Sequence, residues 1–229
     1  MPLRSNRLRQ NNAERLAYVQ AIFNSLKIDG PVTFLGHSRG SENALKMGAT
    51  NTDCTVGVIL VNPLGIKRHR AARPFIKVGL ATFLWNFGIL TQWFMGPILF
   101  VIYRLMGLRV PSCSVAGRSI ECMFRSNLCD QKDYIARITE SNSKTLILYG
   151  GKDSLIEESV SRHFVTTFAG NSELICPEHC SERTLLKRIE RSWRERKHVS
   201  VFCPDDGHFI QKHRAEFIAN AIRHLFSTY

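Results

Sequence analysis

The stretch Val32–Leu45 (VTFLGHSRGSENAL) places a serine between two glycines at the junction of a predicted strand and a predicted helix. The run that opens it is short, β-branched and aromatic, and it follows Gly30-Pro31, which is typical of a buried strand. The residues from Ser41 onward predict a helix. A strand followed so closely by a helix requires the chain to turn sharply at the serine, and few backbone conformations allow such a turn. We therefore predict a strand, a tight turn at Ser38 and a helix.

The turn has the sequence Gly36-His37-Ser38-Arg39-Gly40, which fits the G-x-S-x-G pattern of a nucleophile elbow. Side chains two positions before and after the serine must be small in such a turn, so we expect both glycines to be required sterically. The following helix would direct backbone N–H groups, first that of Arg39, toward negative charge developing at Ser38. His37 is interpreted as part of the packing of the turn. The Arg39 side chain is interpreted as a surface helix residue, with contact to an anionic substrate group as the alternative.

Two further predicted strands end in side chains that a serine nucleophile needs, namely a carboxylate and a histidine base. The run Thr145–Tyr149 predicts a buried strand, and Asp153 lies on the loop directly after it. The run Val199–Phe202 predicts another, followed by a loop with His208 and by an amphipathic helix. We predict a catalytic triad in which Ser38 is the nucleophile, the histidine is the base and the aspartate orients it.

Each of these residues has a simpler interpretation when it is taken alone. Asp153 follows two glycines, which is typical of a turn or a helix N-cap. His208 alone is typical of a helix N-terminus. Asp205 and Asp206 are interpreted as turn residues, and either is the alternative acid. Three such residues at the ends of three strands, in the order Ser, Asp, His, favour the triad.

These motifs resemble the α/β-hydrolase superfamily. GHSRG matches its nucleophile elbow, LILYGGKD its acid strand and loop, and DDGHFIQKHRAEFIANAI its histidine loop and last helix. At the level of sequence, the chain is most similar to a family of α/β hydrolases of unknown function. The segments that carry this similarity are GHSRGSENAL, NPLGIKRHR and DGHFIQKHRAEF. The resemblance implies an α/β-hydrolase fold with a mostly parallel sheet and a serine hydrolase activity, but no substrate.

The resemblance covers the C-terminal two thirds of that fold, because only 37 residues precede Ser38 and they contain no strand pattern. Residues 1–12 are polar and basic and predict disorder, while Ala13–Lys27 predicts an amphipathic helix. The expected sheet is N-terminally truncated. It lacks the loop that supplies half of the oxyanion hole in this fold, and it leaves the Val32–Leu35 strand as an exposed edge. We interpret the sequence as a fragment, an alternative transcript or an incomplete gene model, with a genuinely trimmed protein as the alternative.

Between the predicted strands Val56–Asn62 and Thr145–Tyr149 lies an insertion at the place where α/β hydrolases carry a cap. We therefore predict three parts in the chain. They are the first part of the hydrolase core with the elbow (1–64), a helical cap or lid (65–143) and the rest of the core with the acid and histidine loops (144–229).

From Val78 to Tyr103 the insertion contains no charged residue, a length that could cross a bilayer. A single crossing would separate the serine from its two partners, and Asn86, Gln92 and a break at Gly96-Pro97 divide the run into two shorter pieces. We predict two lid helices, which imply an apolar substrate moiety such as an acyl chain. Insertion into a membrane interface through residues 67–107 is the second interpretation, helped by the basic patch at the start of the insertion, Lys67, Arg68, His69, Arg70 and Arg73, and a true span is the third. The candidate pocket-lining residues are Phe75, Trp85, Trp93 and Phe94, with packing inside the cap as their simpler interpretation.

The formal net charge of +12 and the pI near 9.7 would suit an anionic membrane or nucleic acid. A second basic cluster between Lys187 and Lys197 is interleaved with Glu190 and Glu195, and no nucleic-acid-binding motif accompanies it. We predict a solvated helix face and no nucleic acid partner.

Seven cysteines without a disulfide spacing, and no secretory signal, predict a cytoplasmic location, with membrane association left open. The sequence Cys176-Pro-Glu-His179-Cys180 lacks a second pair of ligands, so we predict no metal and no cofactor.

Two function classes remain open. The first is a serine hydrolase that cleaves an ester, thioester or amide bond of a small-molecule apolar or acyl substrate through an acyl-enzyme. The second is an inactive or truncated hydrolase-fold protein that acts as a binding or membrane-associated scaffold.

Overall fold

The computed structural model describes residues 11–177 and 180–227, and it contains a parallel sheet. The strands are β1 (Val32–His37), β2 (Thr55–Val61), β3 (Lys144–Gly150), β4 (Ser172–Ile175) and β5 (His198–Cys203). They are hydrogen-bonded in the order β1-β2-β3-β5-β4, and every neighbouring pair is parallel. The predicted α/β class with a mostly parallel sheet is confirmed.

The apolar runs of the sequence predict four of these strands, and β4 is the one that they miss. Only Leu174 of its four residues is buried. Its sequence, Ser-Glu-Leu-Ile, therefore lacks the continuous apolar run that marks a strand covered on both faces.

The strand before the elbow, β1, is less buried than strands in the interior of the sheet. Every residue of β2 and β5 is buried, whereas β1 has one fully buried residue, and Leu35 is 46% exposed. Within the described chain β1 pairs with β2 alone. The expectation that Val32–Leu35 forms an edge strand is confirmed for the described residues.

The helices of the described residues lie between and after the strands. They are α1 (Asn12–Ser25), α2 (Arg39–Thr50), α3 (Phe75–Asn86), α4 (Ile89–Leu105), α5 (Cys113–Phe124), α6 (Gln131–Glu140), α7 (Glu158–Val165), α8 (Glu182–Glu195), α9 (Ile210–His213) and α10 (Ala215–Ser227). The helix predicted before the elbow is present as α1, although Ile22 is exposed. The Phe23 ring lies against Phe34 of β1, with ring centroids 5.5 Å apart. Disorder was predicted for residues 1–12. Residues 1–10 of that range lie outside the described residues, whereas Asn12 begins α1.

The chain divides into two compact units. The described residues of the smaller unit are 11–18 and Arg70–Asn127, and those of the larger are Val19–His69 and 128–227. Arg70–Asn127 lies inside the predicted cap of residues 65–143.

The larger unit holds the sheet between two layers of helices. In β2, Ile59 and Val61 belong to an apolar cluster shared with α8 and α10, whereas Val58 and Leu60 belong to one shared with α2, α6 and α7. Successive side chains of a strand point to opposite faces. Both faces of the sheet are therefore covered, which explains why its central strands are continuous apolar runs.

Helix α6 falls in the predicted cap by sequence but belongs to the larger unit. It packs against α2 beside a buried ammonium group, Lys46 Nζ, which donates to Glu42 at 2.8 Å and to Asp130 at 2.7 Å. Two carboxylates thus compensate the burial of one cation.

The smaller unit has its own core between α3, α4 and α5. Its buried apolar residues are Trp85, Leu99, Tyr103 and Ala116. A Cβ on Gly117 would collide with the Trp85 ring, so the absence of a side chain there lets α5 approach α3 closely.

The predicted break at Gly96-Pro97 is wrong, because both residues lie inside α4. Gln92, also predicted to divide the run, lies inside α4, whereas Asn86 is the last residue of α3. The interruption is at Gly88, whose φ of 163° and ψ of 177° leave the helical region. Pro97 removes only one N–H donor, and α4 continues through it. A Cβ added to Gly96 would lie 3.0 Å from Cβ of Cys113 on α5, so the glycine allows the two helices to pack closely. None of the helices in the described residues is both long and apolar enough to span a membrane.

The basic cluster near the C-terminus lies on α8. Its apolar side chains are buried in the larger unit: Leu185, Leu186, Ile189 and Trp193. On the outer side Arg194 pairs with Glu190 at 2.6 Å and Arg191 with Glu195 at 3.4 Å, one helical turn apart. The helix is therefore amphipathic, with its charges of both signs interleaved.

Candidate active site

Ser38 lies between β1 and α2 in a backbone conformation that few residues other than glycine adopt. Its φ is 52° and its ψ is −121°, in the sterically unfavourable half of conformational space. Its N–H donates to the Val61 carbonyl at 2.9 Å, at the C-terminal end of β2. Adjacent strands therefore hold the serine on a sharp, strained turn, as the G-x-S-x-G pattern predicts.

The two glycines of the turn have different roles. A Cβ on Gly36 would collide with the backbone carbonyl of Gly40, so Gly36 is required sterically. A Cβ on Gly40 would meet no atom of the described residues within 4 Å. The expectation for Gly40 is wrong, because the first turn of α2 points that position away from the described chain.

Asp153 lies on the loop after β3, and both oxygens of its carboxylate accept hydrogen bonds. It is 6% exposed. Its Oδ1 accepts the backbone N–H groups of Leu155 at 2.8 Å and Ile156 at 2.9 Å, and its Oδ2 lies 2.7 Å from Nδ1 of His208. Hydrogen bonds from three donors fix the orientation of this carboxylate.

His208 lies on the loop after β5 and connects the other two side chains. It is also 6% exposed. Its Nε2 lies 3.0 Å from Oγ of Ser38 while its Nδ1 faces Asp153. The structure thus brings together all three residues of the predicted triad, from the C-terminal ends of β1, β3 and β5. Because Nδ1–H of the neutral ring donates a hydrogen bond to the Asp153 carboxylate, Nε2 carries the free lone pair and accepts a hydrogen bond from the serine hydroxyl.

The loops that carry Asp153 and His208 touch through glycines. A Cβ on Gly150 would collide with the Asp206 carbonyl, and one on Gly151 would lie 2.6 Å from the Pro204 carbonyl. The N–H of Lys152 donates to the Asp206 carbonyl at 3.0 Å. The Gly-Gly sequence after β3 therefore allows the acid loop and the histidine loop to bond through their backbones.

The two alternative acids are engaged elsewhere. Asp205 pairs with Nζ of Lys152 at 2.8 Å. Asp206 accepts from Nε of Arg214 at 2.6 Å. These contacts favour Asp153 as the acid, and they brace the loop before the histidine.

Asn62 is a site residue that the sequence reasoning did not single out. Its Nδ2 donates to the carbonyls of Gly207 at 3.0 Å and His208 at 2.8 Å, and its Oδ1 accepts the Gly150 N–H at 2.9 Å. It is 1% exposed and has a left-handed φ of 41°, which asparagine tolerates better than most residues. One side chain at the end of β2 thus ties the acid loop to the histidine loop. The available signal was a polar residue, followed by proline, directly after a fully apolar strand.

His37 also holds the histidine loop. Its Nε2 donates to the His208 carbonyl at 2.8 Å, and the two rings are 4.9 Å apart. Burial lowers the pKa of His37 below its ordinary value of 6.5, although that hydrogen bond opposes the shift. The ring is therefore neutral near pH 7, which agrees with its interpretation as part of the packing of the turn.

His69 is a second buried histidine near the site, and the sequence reasoning assigned it only to a basic patch. It is 6% exposed, and burial lowers its pKa to about 4 despite a hydrogen bond with the Leu155 backbone. Leu155 is also one of the donors to Asp153. A neutral His69 therefore supports the loop that holds the carboxylate.

Arg39 opens α2, so its backbone N–H is among the first-turn groups that point out of a helix N-terminus and not toward an acceptor inside the helix. Its guanidinium Nε lies 4.0 Å from Glu42 on the same helix. The side chain is thus associated with its own helix, while the backbone donor sits beside Ser38.

The four aromatic residues predicted as pocket candidates lie in the smaller unit, and two of them are packed inside it. Trp85 is 4% exposed, and Phe75 stacks on Phe124 with ring centroids 5.1 Å apart. Trp93 and Phe94 are 81% and 67% exposed, and they line an open groove of about 670 Å³.

The cysteines of the described chain are free thiols. Among the described residues no group of three or more histidine, cysteine or acidic side chains has the arrangement of a metal site. His179, which the sequence places between Cys176 and Cys180, lies outside the described residues.

Residues 6–227 match the model of a family described as alpha/beta hydrolases of unknown function (DUF1057). An uncharacterized protein of Caenorhabditis elegans, F35H12.5, is 25% identical over 228 aligned positions, which cover 94% of this chain. The chain spans 63% of the length of that relative.

Two solved structures show the same fold. A meta-cleavage product hydrolase from Pseudomonas fluorescens, a mutant complexed with acetates, is 13% identical, with a TM-score of 0.56, over 100% of this chain and 75% of that one. An esterase from Thermogutta terrifontis (malate bound) is 17% identical, with a TM-score of 0.51, over 92% and 70%. At such identities the likeness concerns the fold.

Proposed function

We propose that this chain, which belongs to the alpha/beta hydrolase family of unknown function DUF1057, is a serine hydrolase. The bond that it cleaves would be an ester, a thioester or an amide, in a small molecule with an apolar or acyl moiety. The family membership confirms the resemblance that the elbow, acid-loop and histidine-loop motifs indicate. The activity itself rests on the site.

One observation carries the proposal: Ser38, His208 and Asp153 form a continuous hydrogen-bonded chain with 3.0 Å and 2.7 Å between their polar atoms. Both distances lie within the reach that proton transfer requires. A turn or a helix cap would explain any one of the three residues, but it would not explain why all three side chains are aligned.

In the proposed reaction, Nε2 of His208 removes the proton of the Ser38 hydroxyl as Oγ attacks the substrate carbonyl carbon. Asp153 stabilises the imidazolium that forms and stays ionised itself. The carbonyl oxygen becomes an oxyanion, and the backbone N–H of Arg39, at the positive end of the α2 dipole, is the donor that we assign to it.

Collapse of this tetrahedral intermediate breaks the bond to the leaving group, which takes the proton from the imidazolium. An acyl group remains on Ser38. Water then attacks the acyl carbon while His208 accepts its proton, and the serine leaves as a hydroxyl with that proton restored. The products are an acid and an alcohol, thiol or amine, and the enzyme is regenerated.

The apolar character of the substrate is supported by the smaller unit. Its helices α3 and α4 are almost entirely apolar, and Trp93 and Phe94 line the groove described above. Of the four aromatic candidates, Trp93 and Phe94 have the exposed surface that contact with an apolar ligand requires, whereas Trp85 is buried and Phe75 stacks on Phe124.

A fluorophosphonate probe tests the nucleophile, since it reacts covalently with activated serines. We expect labelling of the wild-type chain and its loss in Ser38→Ala. Asp153→Asn should keep the fold and lower kcat for a p-nitrophenyl ester on the order of 10⁴-fold, because the histidine loses its orienting carboxylate. Ser119→Ala, on α5, is the matched control and should label like the wild type.

A folded wild-type chain that is not labelled would overturn the proposal and favour a scaffold without hydrolase activity. Comparison of p-nitrophenyl acetate with p-nitrophenyl octanoate tests the substrate class. A higher kcat/KM for acetate would contradict the apolar moiety while leaving the serine mechanism intact.

A further inference from the structure

Helices α3 and α4 expose large apolar side chains on a scale that is unusual for a protein surface. Leu90 and Trp93 are each 81% exposed and Leu105 is 83% exposed. The other large apolar residues between Ile76 and Leu105 whose side chains are more than two fifths exposed are Ile76, Leu80, Phe83, Phe87, Ile89, Phe94, Ile98, Val101 and Ile102. We call these twelve residues the α3–α4 apolar face. Contiguous exposed apolar patches of this kind mark surfaces that contact a partner or a membrane.

The spacing of the exposed residues shows that they form continuous stripes. On α3 the exposed apolar positions recur at Ile76, Leu80 and Phe83, which are successive positions on one side of a helix. On α4 they recur in the same way through 90, 94, 98, 101 and 105. The opposite sides of the two helices supply Trp85 and Leu99 to the core of the smaller unit. Each helix is therefore apolar on both sides, with only one side packed.

The segment that carries this face has a strong excess of positive charge. Between Cys54 and Ile120 the sequence contains no aspartate or glutamate. The only acid of Arg70–Asn127 is Glu121, which is buried and pairs with Arg125 at 3.0 Å and with Arg118 at 3.5 Å. The basic residues of the same segment are Arg70, Arg73, Lys77, Arg104, Arg109, Arg118 and Arg125.

We propose that the α3–α4 apolar face inserts into the interfacial region of a membrane that contains anionic lipids. The apolar side chains would enter the boundary between head groups and acyl chains, and the surrounding lysine and arginines would contact lipid phosphates. Trp93 suits the boundary because its ring is apolar and its indole N–H can bond to a head group.

The charges favour a lipid surface over a second copy of the chain. Two copies that met through this face would bring two positively charged segments together, and the repulsion would oppose association. An anionic bilayer offers charge of the opposite sign and an apolar interior in one surface. The occupant that fits both properties is therefore an anionic membrane.

Sedimentation with vesicles tests the proposal directly. The full chain is mixed with sucrose-loaded vesicles of phosphatidylcholine alone or of phosphatidylcholine with phosphatidylserine. We expect binding to the second kind and weak binding to the first. Raising the salt from about 0.1 M to about 1 M shortens the Debye length from about 10 Å to about 3 Å and should weaken the binding.

Tryptophan fluorescence locates the contact. The three tryptophans are Trp85, Trp93 and Trp193, and only Trp93 is exposed. We expect a blue shift with anionic vesicles, and quenching by lipids brominated on their acyl chains. Both signals should be absent in Trp93→Phe.

Paired variants separate the two contributions. Lys77→Gln with Arg109→Gln removes two exposed charges beside the face, and should weaken binding about 25-fold at about fivefold per charge. The matched control is Lys187→Gln with Arg191→Gln on α8, which should bind as the wild type does.

Leu90→Ser tests the apolar side chains in the same way, and should weaken binding, whereas Ile175→Ser, at a residue of the larger unit that is 56% exposed, should not. Because all of these residues are exposed, we expect the variants to fold, which thermal unfolding checks. Failure of the wild type to bind anionic vesicles would overturn the proposal, as would equal losses in the face variants and their controls. Concentration-dependent dimerisation that Leu90→Ser abolishes, without vesicle binding, would assign the face to a second copy and would also overturn it.

Discussion

Two segments of this chain, β2 and α4, are both largely apolar and have opposite surroundings. Every residue of β2 is buried, from Thr55 to Val61. In α4 only three residues are buried, and most of the large apolar side chains are exposed. The difference lies in where each segment finds partners for its backbone.

A strand must pair its N–H and C=O groups with other strands. β2 pairs with β1 on one edge and β3 on the other, which places it inside the sheet, where helices cover both faces. A helix bonds within itself and needs no neighbour to do so. α4 can therefore keep one side unpacked, and its apolar residues become a surface. The comparison teaches that hydrophobicity alone does not determine burial.

The sharpest test of this comparison replaces one leucine in each segment. Leu60→Ala, at a fully buried position of β2, should lower the free energy of unfolding by about 2–5 kcal/mol, because it removes buried atoms and leaves a cavity. Leu90→Ala, at a position that is 81% exposed, should change it by no more than about 0.5 kcal/mol. Urea unfolding measures both values. A loss of about 2 kcal/mol or more in Leu90→Ala would show that the α4 face is packed, and would break the comparison.

A second test concerns the polar groups that the sheet brings together at its C-terminal edge. Asn62→Asp keeps the shape and the left-handed φ, but a carboxylate cannot donate to the carbonyls of Gly207 and His208. Small displacements of catalytic groups can cost on the order of 10²-fold, so we expect a fall in kcat of about that size and a slower reaction with the fluorophosphonate.

Asn86→Asp is the control for that substitution, because Asn86 Nδ2 also donates to a backbone carbonyl, that of Thr82 at 2.9 Å, but on α3. It should leave kcat unchanged. Equal activity of Asn62→Asp and the wild type would show that the two loops hold their positions without Asn62.

A third test is a pH dependence of stability that arises in the larger unit. Burial lowers the pKa of His69 and of His198 to about 4, whereas the unfolded chain takes up these protons near pH 6.5. The unfolded state therefore binds more protons between these values, and stability should fall as the pH drops from about 6.5 toward about 4. The slope is at most about 1.4 kcal/mol per pH unit for each histidine. Arg70–Asn127 contains no histidine and has no such contribution.

Urea unfolding at pH 7, 6 and 5 measures this slope. In His198→Gln, which retains an acceptor for the Thr145 hydroxyl, the slope should decrease by the contribution of one histidine. A free energy of unfolding that is constant from pH 7 to pH 5 would show that both histidines can be protonated in the folded state.

The candidate site was predictable from the sequence because its residues obey local rules. Ser38, Asp153 and His208 each follow a predicted strand, and parallel strands end at the same edge of a sheet. The three side chains lie close together because the strands that carry them end at that edge. Asn62 obeys no such rule, since its partners are backbone groups of two loops that are distant in sequence.

For the apolar segment Val78–Tyr103, the sequence predicted helices but not which of their sides would be buried. The absence of charge from Val78 to Tyr103 indicates helices that can be buried or exposed, and it cannot distinguish the two. The helix break illustrates the same limit. Gly96-Pro97 has the stronger local signal, yet both residues lie inside α4, and the helical run breaks at Gly88.

The sequence by itself determined the strand–turn–helix elbow, the order of the three reactive residues, the parallel sheet and the family. These depend on steric limits at Gly36 and Ser38 and on apolar runs, which act over a few residues. Only the tertiary structure decided that Asn62 joins the acid and histidine loops, that a Cβ on Gly40 would meet no atom of the described residues, and that the apolar α3–α4 face is exposed. Those outcomes depend on contacts between segments far apart in the chain, and no local pattern encodes which side of a helix finds a partner.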